Sequence, residues 1–350
     1  MTPAASTTGR ITIDTAAIAR NYRALARTTR AECGAVVKAN AYGCGIAEVA
    51  PALAAAGANA FFVATAREGV ELRAILPDVT IYVMNGVFDD GAVVRAARLI
   101  PFISSLEALR DWPQHAPFAL NVDTGKNRLG LTVEEALSLD IAPTLLASHF
   151  ASADTPDHPQ NAAQEGAFAA VRAHFGRTPA SLCNSAALLT RPGAHYDLVR
   201  PGTALYGGTA AEGVPPLEPV VRVEAEVIQV RRPRAGETVG YGAAETLARD
   251  SAIAIVAYGY ADGYPRLAGG SNTVPGAPAS VSGRPARLVG RVSMDLIAVD
   301  VTDAPCRRGD RIELIGPNVP LEDVARRCHT IGYELLTGLS RRAQRIYGPL

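Results

Sequence analysis

The stretch Val36-Val37-Lys38-Ala39-Asn40-Ala41-Tyr42-Gly43 is an apolar run that ends on a lysine, with a tyrosine and a glycine just beyond. It reads as a buried strand over 34–38, too short for a helix of its own, with Lys38 where the chain leaves the strand. Seven more short apolar runs follow, near 60–64, 79–84, 99–103, 117–122, 144–149, 179–183 and 197–200. Helical patterns separate most of them. Thr65 with Glu68, Ser104 with Glu107 and Thr132 with Glu135 fit capping boxes, in which hydroxyl and carboxylate satisfy the free amides of a helix start. Ile46, Val49, Ala50 and Leu53 form one apolar face ahead of Gly57, and a longer helix is expected over about 160–174. Before the first strand, Asp14 is placed to cap a helix running to about Arg30. Eight strands alternating with helices predict a (β/α)8 TIM-type barrel rather than an open doubly wound sheet.

The texture changes at Pro215-Pro216-Leu217-Glu218-Pro219. Beyond it apolar and polar residues alternate, and turns rich in Gly and Pro separate short runs at 219–230, 251–258, 285–289, 296–301 and 310–315. These predict antiparallel strands. The expected division is therefore a barrel over 10–225 and a mostly-β C-terminal domain over 226–350, with residues 1–9 joining the latter. The stretch from Gly263 to Pro278 reads as an exposed loop.

Lys+Arg and Asp+Glu both number 34, which leaves no net field to attract nucleic acid or an anionic membrane. Five cysteines without a CxxC pair predict reduced thiols rather than a disulfide framework or a metal cluster. Met1–Arg10 has no basic-then-apolar leader pattern, and no run approaches the length of a spanning helix. A cytoplasmic protein is expected.

In barrels the working face is the carboxyl end of the strands. Reading each strand to its end gives Lys38 after the first, Asp123 to Arg128 after the fifth and His149 at the sixth. It gives Asn184-Ser185 after the seventh and Arg200-Pro201-Gly202-Thr203 after the eighth. Taken singly, Lys38 is a solvated strand cap, His149 a core histidine and Arg200 a surface arginine. Together they fall on one rim. The loops after strands seven and eight are where barrels commonly bind phosphate, and Ser185, Gly202 and Thr203 supply a hydroxyl and close-approaching amides there. A phosphate seat facing a partly desolvated lysine suits pyridoxal phosphate joined to Lys38 as an imine.

Separated motifs support this. They are the opening stretch, Val122-Asp123-Thr124-Gly125, Asn127-Arg128-Leu129-Gly130, Ser148-His149-Phe150-Ala151 and Asn184-Ser185-Ala186. Further along come Val239-Gly240-Tyr241-Gly242-Ala243, Gly259-Tyr260-Ala261-Asp262-Gly263, Gly290-Arg291-Val292-Ser293-Met294-Asp295 and Gly332-Tyr333-Glu334. In this order, from about Arg10 to Tyr347, the chain resembles the alanine racemases, pyridoxal-phosphate enzymes with a barrel and a β-domain. The resemblance implies interconversion of L- and D-alanine by two bases, Lys38 on one face of the substrate and Tyr241 of a partner subunit on the other, in a homodimer supplying D-alanine for peptidoglycan. It assigns Arg200 to the pyridine nitrogen, with His149 hydrogen-bonded to that arginine. It assigns Tyr42, Ser185, Gly202, Thr203 and Tyr333 to the phosphate, and Arg128 with the Met294 amide to the substrate. Asp154, Tyr260, Arg291 and Ile331 match residues lining the entrance.

Three positions depart from the usual pattern. Asn121 stands where many members carry a carbamylated lysine that steadies the substrate-binding arginine, so Arg128 is expected to be held by an anion such as chloride, or by Asn121 itself. Lys126 replaces an uncharged residue, often methionine, and Cys44 replaces a frequent histidine. The alternatives are a racemase for serine, lysine or arginine, a decarboxylase of the same fold, and a non-catalytic pyridoxal-phosphate-binding barrel. The decarboxylases usually place an acid at the pyridine nitrogen, where this chain offers Arg200. The single-barrel protein would have no second domain.

Overall fold

The computed structural model describes residues 9–88, 90–113 and 115–350. These form two units, one comprising 9–17 with 219–350 and the other Ile18–Glu218. The division expected at 225/226 falls inside an eleven-residue strand, Val221–Arg231, whereas the units part within the proline-rich stretch, between Glu218 and Pro219. Of residues 1–9, Gly9 opens the strand Gly9–Ile13, and residues 1–8 lie outside the described residues.

The unit Ile18–Glu218 is the barrel. Seven parallel strands follow one another: Ala35–Val36, Ala60–Val63, Thr80–Val83, Ile100–Ile103, Ala119–Asp123, Leu145–Ala147 and Ala180–Ser181. The eighth, Leu198–Val199, pairs in parallel with Glu32–Cys33. Single backbone bonds finish the ring. Gly34 N donates to Val199 O at 2.9 Å and Val36 N to Pro201 O at 3.1 Å, while on the other side Asp197 N donates to Ala180 O at 3.0 Å and Arg200 N to Cys183 O at 2.9 Å. Inside, Phe62 stacks on Tyr82 with ring centroids 4.8 Å apart, and Phe102 meets both edge-on. Aromatics fill the ring, so it is a packed core and not a channel.

The capping boxes at Thr65/Glu68 and Thr132/Glu135 are present. The third does not form: Ser105, not Ser104, accepts from Ala108 N and caps Leu106–Asp111 without a box, while the Ser104 hydroxyl accepts from Asn121 Nδ2 at 3.1 Å. Asp14 accepts from Ala17 N at 2.7 Å and caps Thr15–Ala26. That helix stops short of Arg30 because Thr28 turns back, with its amide and hydroxyl both bonded to Leu25 O.

The other unit is an antiparallel β-structure. Val221–Arg231, Ile253–Val256, Ile297–Asp300, Arg284–Leu288, Pro278–Val281 and Arg311–Ile315 close on themselves, since Val221–Arg231 pairs with both Ile253–Val256 and Arg311–Ile315. Closure removes the unpaired edges an open sheet would leave. Gly9–Ile13 and Gln344–Tyr347, neither of them read as strands from sequence, extend the sheet from the first half of Val221–Arg231.

The stretch 263–278 is exposed only in part, at 266–267 and 272–275, and is otherwise packed down. Tyr264, Ala268 and Ala277 are buried, and Gly270 N donates to Gly290 O while Leu288 N donates to Ala277 O. Its glycines mark close backbone packing: a Cβ on Gly276 would stand 2.1 Å from Leu288 O. Arg327 ties the stretch down by donating to the carbonyls of Leu267, Gly269 and Pro275.

Candidate active site

Lys38 leaves the first barrel strand into a rare conformation. Ala39, Asn40, Ala41 and Tyr42 all have φ between 53° and 55°, which makes one left-handed turn of four residues with side chains. Each such residue costs on the order of 1–2 kcal/mol for an L-amino acid. The turn is therefore over-determined by its surroundings. Ala41 N donates to Val37 O and Gly43 N to Ala39 O, both at 2.8 Å, and Asn40 Oδ1 accepts from Ile46 N at 2.8 Å. Glu68 accepts from Ala39 N through one oxygen and from Ala64 N through the other, each at 2.7 Å. The ring of Tyr42 stacks on Tyr206, whose hydroxyl donates to Val36 O.

A cavity of about 230 Å³ opens above the aromatic core at the carboxyl ends of the strands. Lys38, Arg128, His149 and Arg200 line it together, as do Asn121 and Lys126. Burial lowers the pKa of Lys38, and the Arg128 charge lowers it further against the opposing pull of Glu68. Burial, followed by the charges of Arg200, Lys126, Arg128 and Lys38, depresses His149 well below the usual imidazole range and keeps its ring neutral. Arg200 is 4% exposed and is pushed down to about 10 by burial, still high enough to remain charged at neutral pH. Its guanidinium bonds Ser181 Oγ and, at 2.5 Å, Ser148 O, and lies 5.9 Å from the Phe62 ring centroid. Those bonds take the place of the one the resemblance draws to the His149 ring.

Two rim loops are laced together below the cavity. Thr124 Oγ1 and Ser148 Oγ lie 2.8 Å apart, and Gln164 donates to Thr124 Oγ1 and His149 O while accepting from Ala151 N. Gln160 Nε2 donates to Gly125 O at 2.7 Å. Asn121 Nδ2 donates to Ser104 Oγ and, at 2.9 Å, to Leu129 O, so it fixes the backbone next to Arg128 rather than holding the guanidinium. Sequence reading gave no site role to Ser148, Gln160, Gln164 or Ser181. The signal for Gln164 was a polar residue among the inward positions of Pro159–His174, where Phe168 and Val171 are buried with it.

The seat after strands seven and eight also forms. Ser185 Oγ accepts from Gly202 N at 2.8 Å and Ala204 N at 3.3 Å. Thr203 Oγ1 is buried with no hydrogen-bond partner. A Cβ on Gly202 would stand 2.4 Å from the Tyr42 hydroxyl, so glycine there keeps Tyr42 against the seat. Asp154 is exposed, and its carbonyl accepts from Glu212 N.

The remaining candidates lie in the β-unit. Tyr241 begins a short 3-10 turn between Gly240 and Gly242 and is 71% exposed. Arg291 packs against Gly242, and Tyr260 N and Ala261 N donate to Ser293 O and Met294 O. Tyr241, Tyr260, Arg291 and Met294 thus share one folded patch. Ile331 caps the helix Gly332–Gly338, which carries Tyr333 near its start.

The model of the alanine racemase N-terminal domain matches residues 13–210, and that of the alanine racemase C-terminal domain matches 220–347. The alanine racemase of Methylobacterium nodulans is 45% identical, with 99% of this chain and 98% of that protein covered. That of Rhizobium meliloti is 46% identical, with 98% and 97% covered. Among solved structures, the alanine racemase of Bartonella henselae, described with covalently bound pyridoxal phosphate, superposes with a TM-score of 0.90 at 38% identity over 98% of this chain and 100% of that one. The biosynthetic alanine racemase of Pseudomonas aeruginosa gives 0.91 at 38% identity over the same shares. Matched along nearly its whole length in both units, the chain belongs to the alanine racemase family.

Proposed function

We propose that this protein interconverts L- and D-alanine with pyridoxal phosphate attached to Lys38. The observation that carries the reading is the desolvated Lys38 in a cationic cavity on the same barrel rim as a preformed anion seat. The residues present fit the cofactor. Thr203 has a buried hydroxyl without a partner, and Tyr42, Ser185 and Gly202 surround the same spot. Tyr333 would complete the phosphate site, and Arg200, braced by Ser181 and Ser148, would face the pyridine nitrogen. When bound, the cofactor supplies a conjugated ring that takes up the electron pair left at Cα when its proton departs.

The chain's own residues do the rest. Lys38 Nζ exchanges a proton with Cα on one face, and Tyr241 Oη, from a partner subunit, does so on the other. Each is the base for one enantiomer and the acid for the other. Arg200 stays protonated and so donates a hydrogen bond without giving up a proton, which limits how far charge drains from Cα. Arg128 and the backbone amide of Met294, the latter from a partner subunit, would orient the substrate carboxylate and the cofactor oxygen. Arg128 has no carboxylate partner among the described residues, which supports a small anion such as chloride beside it. Asp154, Tyr260, Arg291 and Ile331 would line the entrance. We further read the protein as a cytoplasmic homodimer supplying D-alanine for peptidoglycan. No described helix is long and apolar enough to cross a membrane.

The test is to record the visible absorbance of the purified protein and then follow conversion of L- to D-alanine. A yellow chromophore and racemisation are expected, both lost in Lys38→Ala. A colourless, inactive wild type, or an unaltered chromophore in Lys38→Ala, would refute the reading.

A further inference from the structure

We propose that Lys126 is a second substrate-binding cation, forming with Arg128 a two-cation seat for the amino-acid carboxylate. The inference rests on the racemase reading and adds a residue to it. The loop after the fifth strand is built around the Asp123 carboxylate, which accepts from the amides of Gly125 at 2.8 Å, Lys126 at 2.7 Å and Arg128 at 2.8 Å. Asn127 between them takes a left-handed φ of 54°, and the side chains on either side of it, Lys126 and Arg128, both line the cavity. The Lys126 ammonium is aimed by one bond, to Phe150 O at 3.1 Å. An ammonium has three donors, so two remain for a ligand.

The charge around it calls for an anion. Lys38, Lys126, Arg128 and Arg200 line the cavity against one carboxylate, Asp123, which accepts from three amides of its own loop. His149 is held neutral, and Asp154 acts on Lys126 only from beyond ion-pair distance. Among the described residues neither Lys126 nor Arg128 has an acidic partner, so the carboxylate of an incoming amino acid is their complement. Arginine offers it a flat fork and lysine a point charge.

The experiment compares the wild-type holoenzyme with Lys126→Met and Lys126→Arg, measuring the cofactor band, kcat and KM in both directions. Lys126→Met is expected to raise KM for L- and D-alanine about ten-fold with kcat changed less than about two-fold, the signature of lost uniform binding. Lys126→Arg is expected to recover most of that loss. A racemising wild type whose Lys126→Met variant keeps its KM, or loses kcat alone, overturns this inference and leaves the functional reading standing. A wild type without band or racemisation overturns the functional reading itself.

Discussion

At the scale of single residues, the candidate site makes one lysine easier to deprotonate. A free lysine near 10.5 is almost wholly charged at neutral pH. Burial of Lys38 disfavours the ammonium, and Arg128 adds like-charge repulsion. Both effects act on the protonated form, so the neutral amine that attacks an aldehyde is more abundant than the free value allows. Apoenzyme stripped of cofactor should therefore recapture pyridoxal phosphate at a rate that rises with pH, with a midpoint below 10.5. In Arg128→Met one of the two lowering influences is gone, so the midpoint should move upward. Following capture by the growth of absorbance across pH checks this, and a midpoint that stays put or falls would show that Arg128 does not act on Lys38. Lys38 was legible because it ends a strand. The parts Ser148 and Ser181 play in bracing Arg200 were not, because serines at strand ends carry no periodic signal and their partner stands elsewhere in the chain.

Elements were legible wherever a local pattern fixes them. The eight barrel runs repeat at strand length, and two of three capping boxes stand at the residues that sequence reading places them. The third shows the limit, since the sequence favours Ser104 through Glu107, yet the helix starts from Ser105 while Ser104 is engaged by Asn121 from another strand. The left-handed turn 39–42 and the packed glycines of 263–278 were hidden for a related reason. Neither conformation is preferred by its own residues, and both are imposed by contacts remote in sequence. For the second, the glycines that suggested a flexible loop are there because backbone lies against backbone. Gly276→Ala makes the difference measurable. The new Cβ would meet the Leu288 carbonyl at 2.1 Å, and backbone cannot step aside as a flexible side chain can. Overpacking of this kind costs about 1–3 kcal/mol, so the urea midpoint should fall clearly. An exposed loop would tolerate the change within about 0.5 kcal/mol.

At the scale of the whole molecule, the two proposed bases lie in separate units, Lys38 on the barrel rim and Tyr241 in the β-unit about 200 residues later. Tyr241 at 71% exposed and Met294 at 53% are large side chains left uncovered on one patch, which supports their serving a neighbouring subunit. Composition and periodicity are silent on this point, because a catalytic pair split between chains leaves the same sequence as one within a chain. The proposed homodimer can be tested by complementation. Lys38→Ala and Tyr241→Phe are each expected to be inactive alone. Co-expressed in equal amounts, they should pair at random, giving about half heterodimers. If each site takes Lys38 from one subunit and Tyr241 from the other, a heterodimer contains one site with both defects and one with neither. Recovered turnover should then be about a quarter of wild type. If both bases came from one chain, every site in the mixture would carry a defect and no activity would return.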